Sequence, residues 1–221
     1  MKYTSYLSLV VSFLLAMSCK DKNKHYSSWE AYGGGKDNIH YSSLTEIDTN
    51  NIHQLKKAWE YSTRDAEKFT QIQVNPIIIK NTLYGVSPKL KLFAVEANTG
   101  KLRWSFDPYK VINNEVKGIG YFSINVCRGV TYYEDKDSKR LFYAAGANLF
   151  CVDATKGELI KSFGNKGRID LHNDLGRDVA DLYIAMTSPG IIYKDLIIIG
   201  SRVNEEAAAA PGYIRAYDVY T

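Results

Sequence analysis

Cysteine is scarce in this chain, with three in 221 residues, and Cys19 lies at the end of an apolar leader, leaving Cys127 and Cys151. Two cysteines are no disulfide framework, and each sits in an apolar, strand-like run where a buried thiol and a bridge are equally compatible with the sequence. The four histidines (His25, His40, His53, His172) have no ligand spacing, so no zinc site is read here. No basic stripe exists: the net charge is only +4 and the one dense cluster is Lys20, Lys22 and Lys24, which argues against a nucleic-acid partner. No long stretch carries helical periodicity, and no apolar run approaches the roughly 20 residues needed to span a bilayer as a helix.

What is abundant is aromatic. Seventeen tyrosines, eight phenylalanines and three tryptophans make up 13% of the chain, and flat rings favour the pleated surface of strands. The start of the chain is a targeting segment: Lys2 provides a positive charge, Leu7 to Met17 an apolar stretch, and Ser18 a small residue before Cys19. This arrangement resembles a bacterial lipobox, although Ala16 stands where Leu is usual. Residues 1–18 are therefore read as a signal peptide, Cys19 as the lipidated residue, and residues 19–28 as a polar tether to the membrane. An ordinary signal peptide with an incidental cysteine is the alternative.

From residue 29 onward the sequence repeats. Short apolar runs are punctuated by turn residues, as in Ile77-Ile78-Ile79, Lys80-Asn81, Leu83 to Val86, and again in Tyr193 to Gly200. More specifically, Phe93-Ala94-Val95-Glu96-Ala97-Asn98-Thr99-Gly100-Lys101-Leu102 matches Phe150-Cys151-Val152-Asp153-Ala154-Thr155-Lys156-Gly157-Glu158-Leu159. Arg215 to Thr221 begins a third copy, so the acidic residues recur 57 and 65 residues apart. Each copy predicts strand, acidic turn, glycine and strand, with the carboxylate accepting turn amides and the glycine supplying a positive φ. With the preceding hairpin this gives four strands per unit, the signature of β-propeller blades in an all-β fold. Trp59 and Trp104 are predicted on outer strands, wedged between blades, with Phe163 of Lys161-Ser162-Phe163-Gly164 as their third counterpart.

The unit Leu-x-Ala-x-Asp/Glu-Ala-x-Thr-Gly-Lys-x-x-Trp is similar to the repeat of pyrroloquinoline quinone (PQQ) dehydrogenases. Trp29-Glu30-Ala31-Tyr32-Gly33-Gly34 with Tyr41-Ser42-Ser43-Leu44, Gln73-Val74-Asn75-Pro76, Cys127-Arg128-Gly129-Val130 and Thr187-Ser188-Pro189 resemble segments of its membrane glucose dehydrogenase branch. The resemblance covers residues 29–221. It implies about three of an expected eight blades, hence the first part of a longer protein whose catalytic aspartate falls beyond Thr221.

That resemblance implies oxidation of an alcohol or sugar by hydride transfer to PQQ, with a calcium ion polarising the quinone, in the bacterial cell envelope. It also implies an electron acceptor, a quinone or a cytochrome, without identifying it. By likeness of position, Arg128 would stabilise charge on the quinone and Gln73, Thr187 and Asn204 would contact the cofactor. Glu205 would ligate calcium, with adjacent Glu206 competing for that role. Two departures matter: Gln73 stands where several relatives carry Glu, and Ile124 where some glucose-oxidising relatives carry His. A non-catalytic propeller lipoprotein that scaffolds outer-membrane protein assembly shares the anchor and the repeats, and is the competing expectation.

Overall fold

The computed structural model describes residues 26–112 and 126–221. The leader, Cys19, Ile124 and most of the tether lie outside those residues. Strands β1 (Ile77–Ile79), β2 (Thr82–Val86), β3 (Leu92–Glu96) and β4 (Leu102–Phe106) form one antiparallel meander. A single helical turn, α1 (Tyr109–Ile112), follows. Strands β5 (Thr131–Glu134), β6 (Lys139–Ala145), β7 (Asn148–Asp153) and β8 (Arg168–Asp170) form a second meander. A short β9 (Ile184–Ala185) precedes β10 (Ile191–Tyr193) and β11 (Leu196–Ile199). The chain then makes β12 (Arg202–Val203), which pairs back with β9, and β13 (Arg215–Asp218), which pairs with β11. The third sheet thus holds three strands in the order β10-β11-β13.

The three sheets stack face to face, and the side-chain alternation of the middle one shows why. On β6 and β7, Leu141, Tyr143, Ala145, Phe150 and Val152 join a core shared with Ile77, Val86, Leu92 and Phe106 of the first sheet. Their neighbours Phe142, Ala144, Leu149 and Cys151 join a second core with Ile197, Ile199 and Val219 of the third. Successive side chains leave a strand on opposite faces, so a strand buried on both sides must be apolar at every position. Tyr143, Phe142, Phe150 and Leu149 are indeed fully buried. Cys127 belongs to the first core and Cys151 to the second, and both are free thiols, which closes the choice the sequence left open.

The repeated turns fold as their residues predict, with one difference. Gly100 (φ 70°) and Gly157 (φ 74°) return their amides to the carbonyls of Glu96 and Asp153, each at 2.8 Å. Asp153 Oδ1 accepts the Thr155 and Lys156 amides, and Asp218 Oδ1 accepts those of Tyr220 and Thr221. Glu96, one methylene longer, takes the Thr99 hydroxyl at 2.9 Å instead.

Trp59 and Trp104 each clamp a repeat turn that follows them in sequence. Trp104 Nε1 donates to the Ala154 carbonyl at 3.1 Å, and its ring lies 2.5 Å from where a Cβ on Gly157 would stand. Trp59 does the same to Ala97 at 3.1 Å and to Gly100 at 2.5 Å. Trp59, however, lies in an extended segment with no strand partner among the described residues, not on the outer strand predicted for it. The third expectation holds for burial between sheets and is corrected for the strand. After Ile160, whose amide still reaches the Cys151 carbonyl, the outer strand detours through residues 161–167 and resumes as β8. Phe163 leaves the outer strand with that detour but is still buried between the second and third sheets, edge-to-face on Phe142 with ring centroids 5.3 Å apart, while Ser162 Oγ donates to the Tyr220 carbonyl of the third turn at 3.1 Å.

Candidate functional site

The first strands β1, β5 and β10 form one edge of each sheet, and that edge is where the sheets converge. The segment leading into each strand is bonded to the next one around. The Asn75 amide donates to the Arg128 carbonyl at 2.8 Å, and the Arg128 amide to the Thr187 carbonyl at 2.8 Å. A parallel bridge joins Asn75 to Gly129, and the Thr131 hydroxyl reaches the Gly190 carbonyl at 2.8 Å. These edges therefore make a continuous inner rim.

Arg128 stands on that rim. Its neighbours Cys127, Gly129 and Val130 are buried, whereas Arg128 itself is exposed, so the backbone is fixed and the guanidinium faces open space. Arg128 Nη1 donates to Thr187 Oγ1 at 3.3 Å, its one side-chain hydrogen bond among the described residues. Gly129 is wedged between rings: a Cβ there would sit 3.1 Å from Pro189 Cγ and 3.2 Å from Tyr32 Cδ2. Thr187 is buried, and its hydroxyl faces the guanidinium. Burial pushes the Cys127 thiol up to about 11, against weaker bonding to the Gly129 and Ala144 backbone, so this neighbour of Arg128 is a neutral wall and no nucleophile.

Arg128 and Thr187, 59 residues apart in sequence, are thus brought together. Gln73 lies two residues before Asn75 on the exposed part of the same rim, with no side-chain bond to either. Asn204 and Glu205 stand apart. β12 pairs with β9 through Arg202–Ala185 and Val203–Ile184, so the chain past Val203 runs away from Thr187, which follows β9 in the other direction. Both residues are exposed, and no bond joins them to the rim among the described residues.

No group of three His, Cys, Asp or Glu residues gathers to hold a metal among the described residues. One carboxylate and one amide are short of the six to eight oxygens calcium takes, so Asn204 and Glu205 would be at most part of such a site. The rim's donors do fit an acceptor-rich planar anion, because a guanidinium, a hydroxyl and an amide present N–H and O–H groups without opposing charge.

Two features escaped the sequence. One is the link from the opening segment to the rim: Trp29 Nε1 donates to Asn75 Oδ1 at 3.0 Å, and Tyr32 packs on Gly129. The other is buried Asp65, whose carboxylate takes hydroxyls from Thr63 and Ser87, each at 2.6 Å. Neither carried a signal, since both join residues with no common motif.

Residues 29–221 match the family model described as PQQ glucose/ethanol/alcohol dehydrogenase, β-propeller domain. Among curated proteins, the quinoprotein glucose dehydrogenase of Escherichia coli K12 is 30% identical over 211 residues, covering 87% of this chain and 26% of that protein. The quinoprotein glucose dehydrogenase of Gluconobacter oxydans 621H is 32% identical over 217 residues, covering 88% of this chain and 26% of its own. Among solved structures, the quinohemoprotein alcohol dehydrogenase of Comamonas testosteroni superposes with a TM-score of 0.70 at 21% identity, covering 90% of this chain and 27% of that one. The chain therefore spans about a quarter of the length of these relatives. Three stacked β-sheets joined along one inner rim, carrying a family match over 193 of their residues' span from Trp29 to Thr221, make this chain a member of the PQQ glucose/ethanol/alcohol dehydrogenase β-propeller family.

Proposed function

We propose that the protein containing this chain is a PQQ-dependent dehydrogenase that oxidises alcohols or sugars in the bacterial cell envelope. The observation that carries this reading is Arg128, an exposed cation held by a buried backbone and one threonine on the rim where the sheets converge. When bound, PQQ would supply the two-electron acceptor for a hydride leaving the substrate carbon, and calcium would polarise it.

The chain's own contribution is binding and charge. The guanidinium, kept from folding back by Thr187 Oγ1, offers its remaining N–H groups to oxygens on which negative charge accumulates. The Gln73 amide stands ready to bond a carboxylate of the cofactor without repelling it. Asn204 and Glu205 would supply part of the calcium shell, completed by residues from the rest of the protein. The electron acceptor remains a quinone or a cytochrome in this reading.

PQQ titration of the cofactor-free full-length protein with calcium, followed by dye reduction with alcohols and aldoses, tests the proposal. Arg128→Ala is expected to lower turnover about a hundred- to thousandfold, the usual loss for one preorganised donor at developing charge. Absence of PQQ binding by the intact protein would discard the dehydrogenase reading in favour of the assembly scaffold. Envelope location rests on the leader and is tested separately. Cys19→Ser is expected to move the protein from the membrane fraction to the soluble envelope fraction, and a wild type already soluble refutes the anchor.

A further inference from the structure

The opening motif Trp29-Glu30-Ala31-Tyr32-Gly33-Gly34 is not consumed by the site described above, yet it is bonded into it. The Ile78 amide donates to the Trp29 carbonyl at 2.7 Å, and Trp29 bridges antiparallel to Ile78. Since β2 occupies the other side of β1, this segment runs along the free, inner side of β1. Continued antiparallel, it passes from Ile78 toward Asn75, and Tyr32 arrives at Gly129 on the next rim segment. A turn then closes it, with the Gly34 amide bonded to the Ala31 carbonyl at 3.0 Å. Gly34 has φ 100°, and a Cβ there would stand 3.2 Å from the Trp29 ring.

We propose that residues 29–34 form an inner plug of the propeller and that Trp29 is a positioning residue for Arg128. The path is unbroken: Trp29 Nε1 to Asn75 Oδ1, Asn75 amide to Arg128 carbonyl, Arg128 amide to Thr187 carbonyl, and Arg128 Nη1 to Thr187 Oγ1. Tyr32 and Pro189 both crowd the place where a side chain on Gly129 would stand, so the opening segment packs directly against the residue after Arg128. A guanidinium on a long flexible side chain is only as well aimed as the backbone that carries it. Here that backbone is fixed from the centre of the ring by a segment more than 90 residues earlier in sequence. The role as cofactor site rests on the dehydrogenase reading; the mechanical link does not.

The test separates the two. In the full-length protein, Trp29→Phe keeps an aromatic ring and removes the donor together with part of the indole, a loss of packing that Trp29→His shares. Amide hydrogen exchange at Asn75 and Arg128 is expected to accelerate about three- to tenfold, the equilibrium weight of one hydrogen bond, while exchange in β6 and β7 stays unchanged. The PQQ dissociation constant, read by quenching of protein fluorescence, is expected to rise by a similar factor. In an Arg128→Ala background, Trp29→Phe should add little to that loss, because the two act through one group. Trp29→His, whose ring N–H can donate again, should restore both readouts. Unchanged exchange at Arg128, or a binding loss that simply multiplies with that of Arg128→Ala, overturns the proposal. A wild type that fails to bind PQQ sinks the dehydrogenase reading alone, with the exchange result still deciding the link. Asn75→Ala, which removes the acceptor from the other end, replaces Trp29→Phe should that variant not fold.

Discussion

Two buried thiols are where alkali first acts on this molecule, with the buried Tyr143 hydroxyl, raised well above its ordinary value by burial, adding to them at higher pH. Cys127 is raised to about 11 and Cys151 to about 12, both chiefly by burial, and Arg140 beside Cys151 offsets only part of that. A thiol in the unfolded chain ionises near pH 8.5. Each folded pKa therefore lies above its unfolded value, so the stabilisation is complete below about pH 8.5 and is lost as pH rises toward 11 and 12. Unfolding midpoints should fall across that window, and Cys127→Ala should flatten the slope by about one proton; an unaltered slope would contradict the assignment. Neither thiol should react with alkylating reagents at neutral pH until the protein unfolds. The turn glycines are as demanding. Gly157→Ala would place a methyl 2.5 Å from Trp104 at φ 74°, and the loss expected in a melt is about 2 kcal/mol or more, from combined strain and overpacking. Sequence told which residues these were, because glycine and acid recur at one spacing. It could not tell that the two cysteines face opposite cores, since that depends on the parity of their positions across different strands.

At the level of strands, legibility followed periodicity. The two tight hairpins at Lys80-Asn81 and Lys194-Asp195 and the repeat turns were readable from local residues alone. The detour at 161–167 was not. It looks like an outer strand because Leu159 and Ile160 continue the pattern, and only the appearance of β8 seven residues later reveals the interruption. The likeness of Phe163 to an inter-sheet aromatic was real, but the residue reaches that core from a detour and not from a regular outer strand. The clamp pairing of Trp104 with Ala154 gives an element-scale prediction. Trp104→Phe should cost about 1 kcal/mol for the lost bond, beyond what its ring contacts retain. Combined with Gly157→Ala, the two losses should fall short of their sum, since a smaller ring relieves the clash. Strict additivity would mean that ring and turn do not meet.

Across the whole molecule, the middle sheet has both faces covered and the third has one. On the uncovered side Ile191 is 72% exposed, Tyr193 60% and Ile214 80%, an apolar surface of a kind that soluble chains seldom leave bare. Ile191→Lys and Ile214→Lys should improve the solubility of the 221-residue chain without lowering its melting temperature, and should destabilise the full-length protein, where a further sheet is expected on that face. Equal behaviour in both would argue against that covering. The candidate site was readable in sequence only as separate pieces: Arg128, Gln73 and Thr187 were each singled out by likeness, whereas their placement on one rim, and the distance of Glu205 from it, needed the rim bonds and the register of β9 with β12.

The tryptophan clamps also give the array a direction. Trp59 holds the turn of the first sheet and Trp104 the turn of the second, always from an earlier residue to a later one. An indole N–H in one unit thus finds its acceptor only after the following unit has made its turn. During synthesis, which delivers the chain from its N-terminus, every finished sheet would wait on its successor, and the newest would always be the least secure. Nested truncations ending after each turn should therefore show stability rising in nearly equal steps, each step appearing when the later turn is added and not when the tryptophan is.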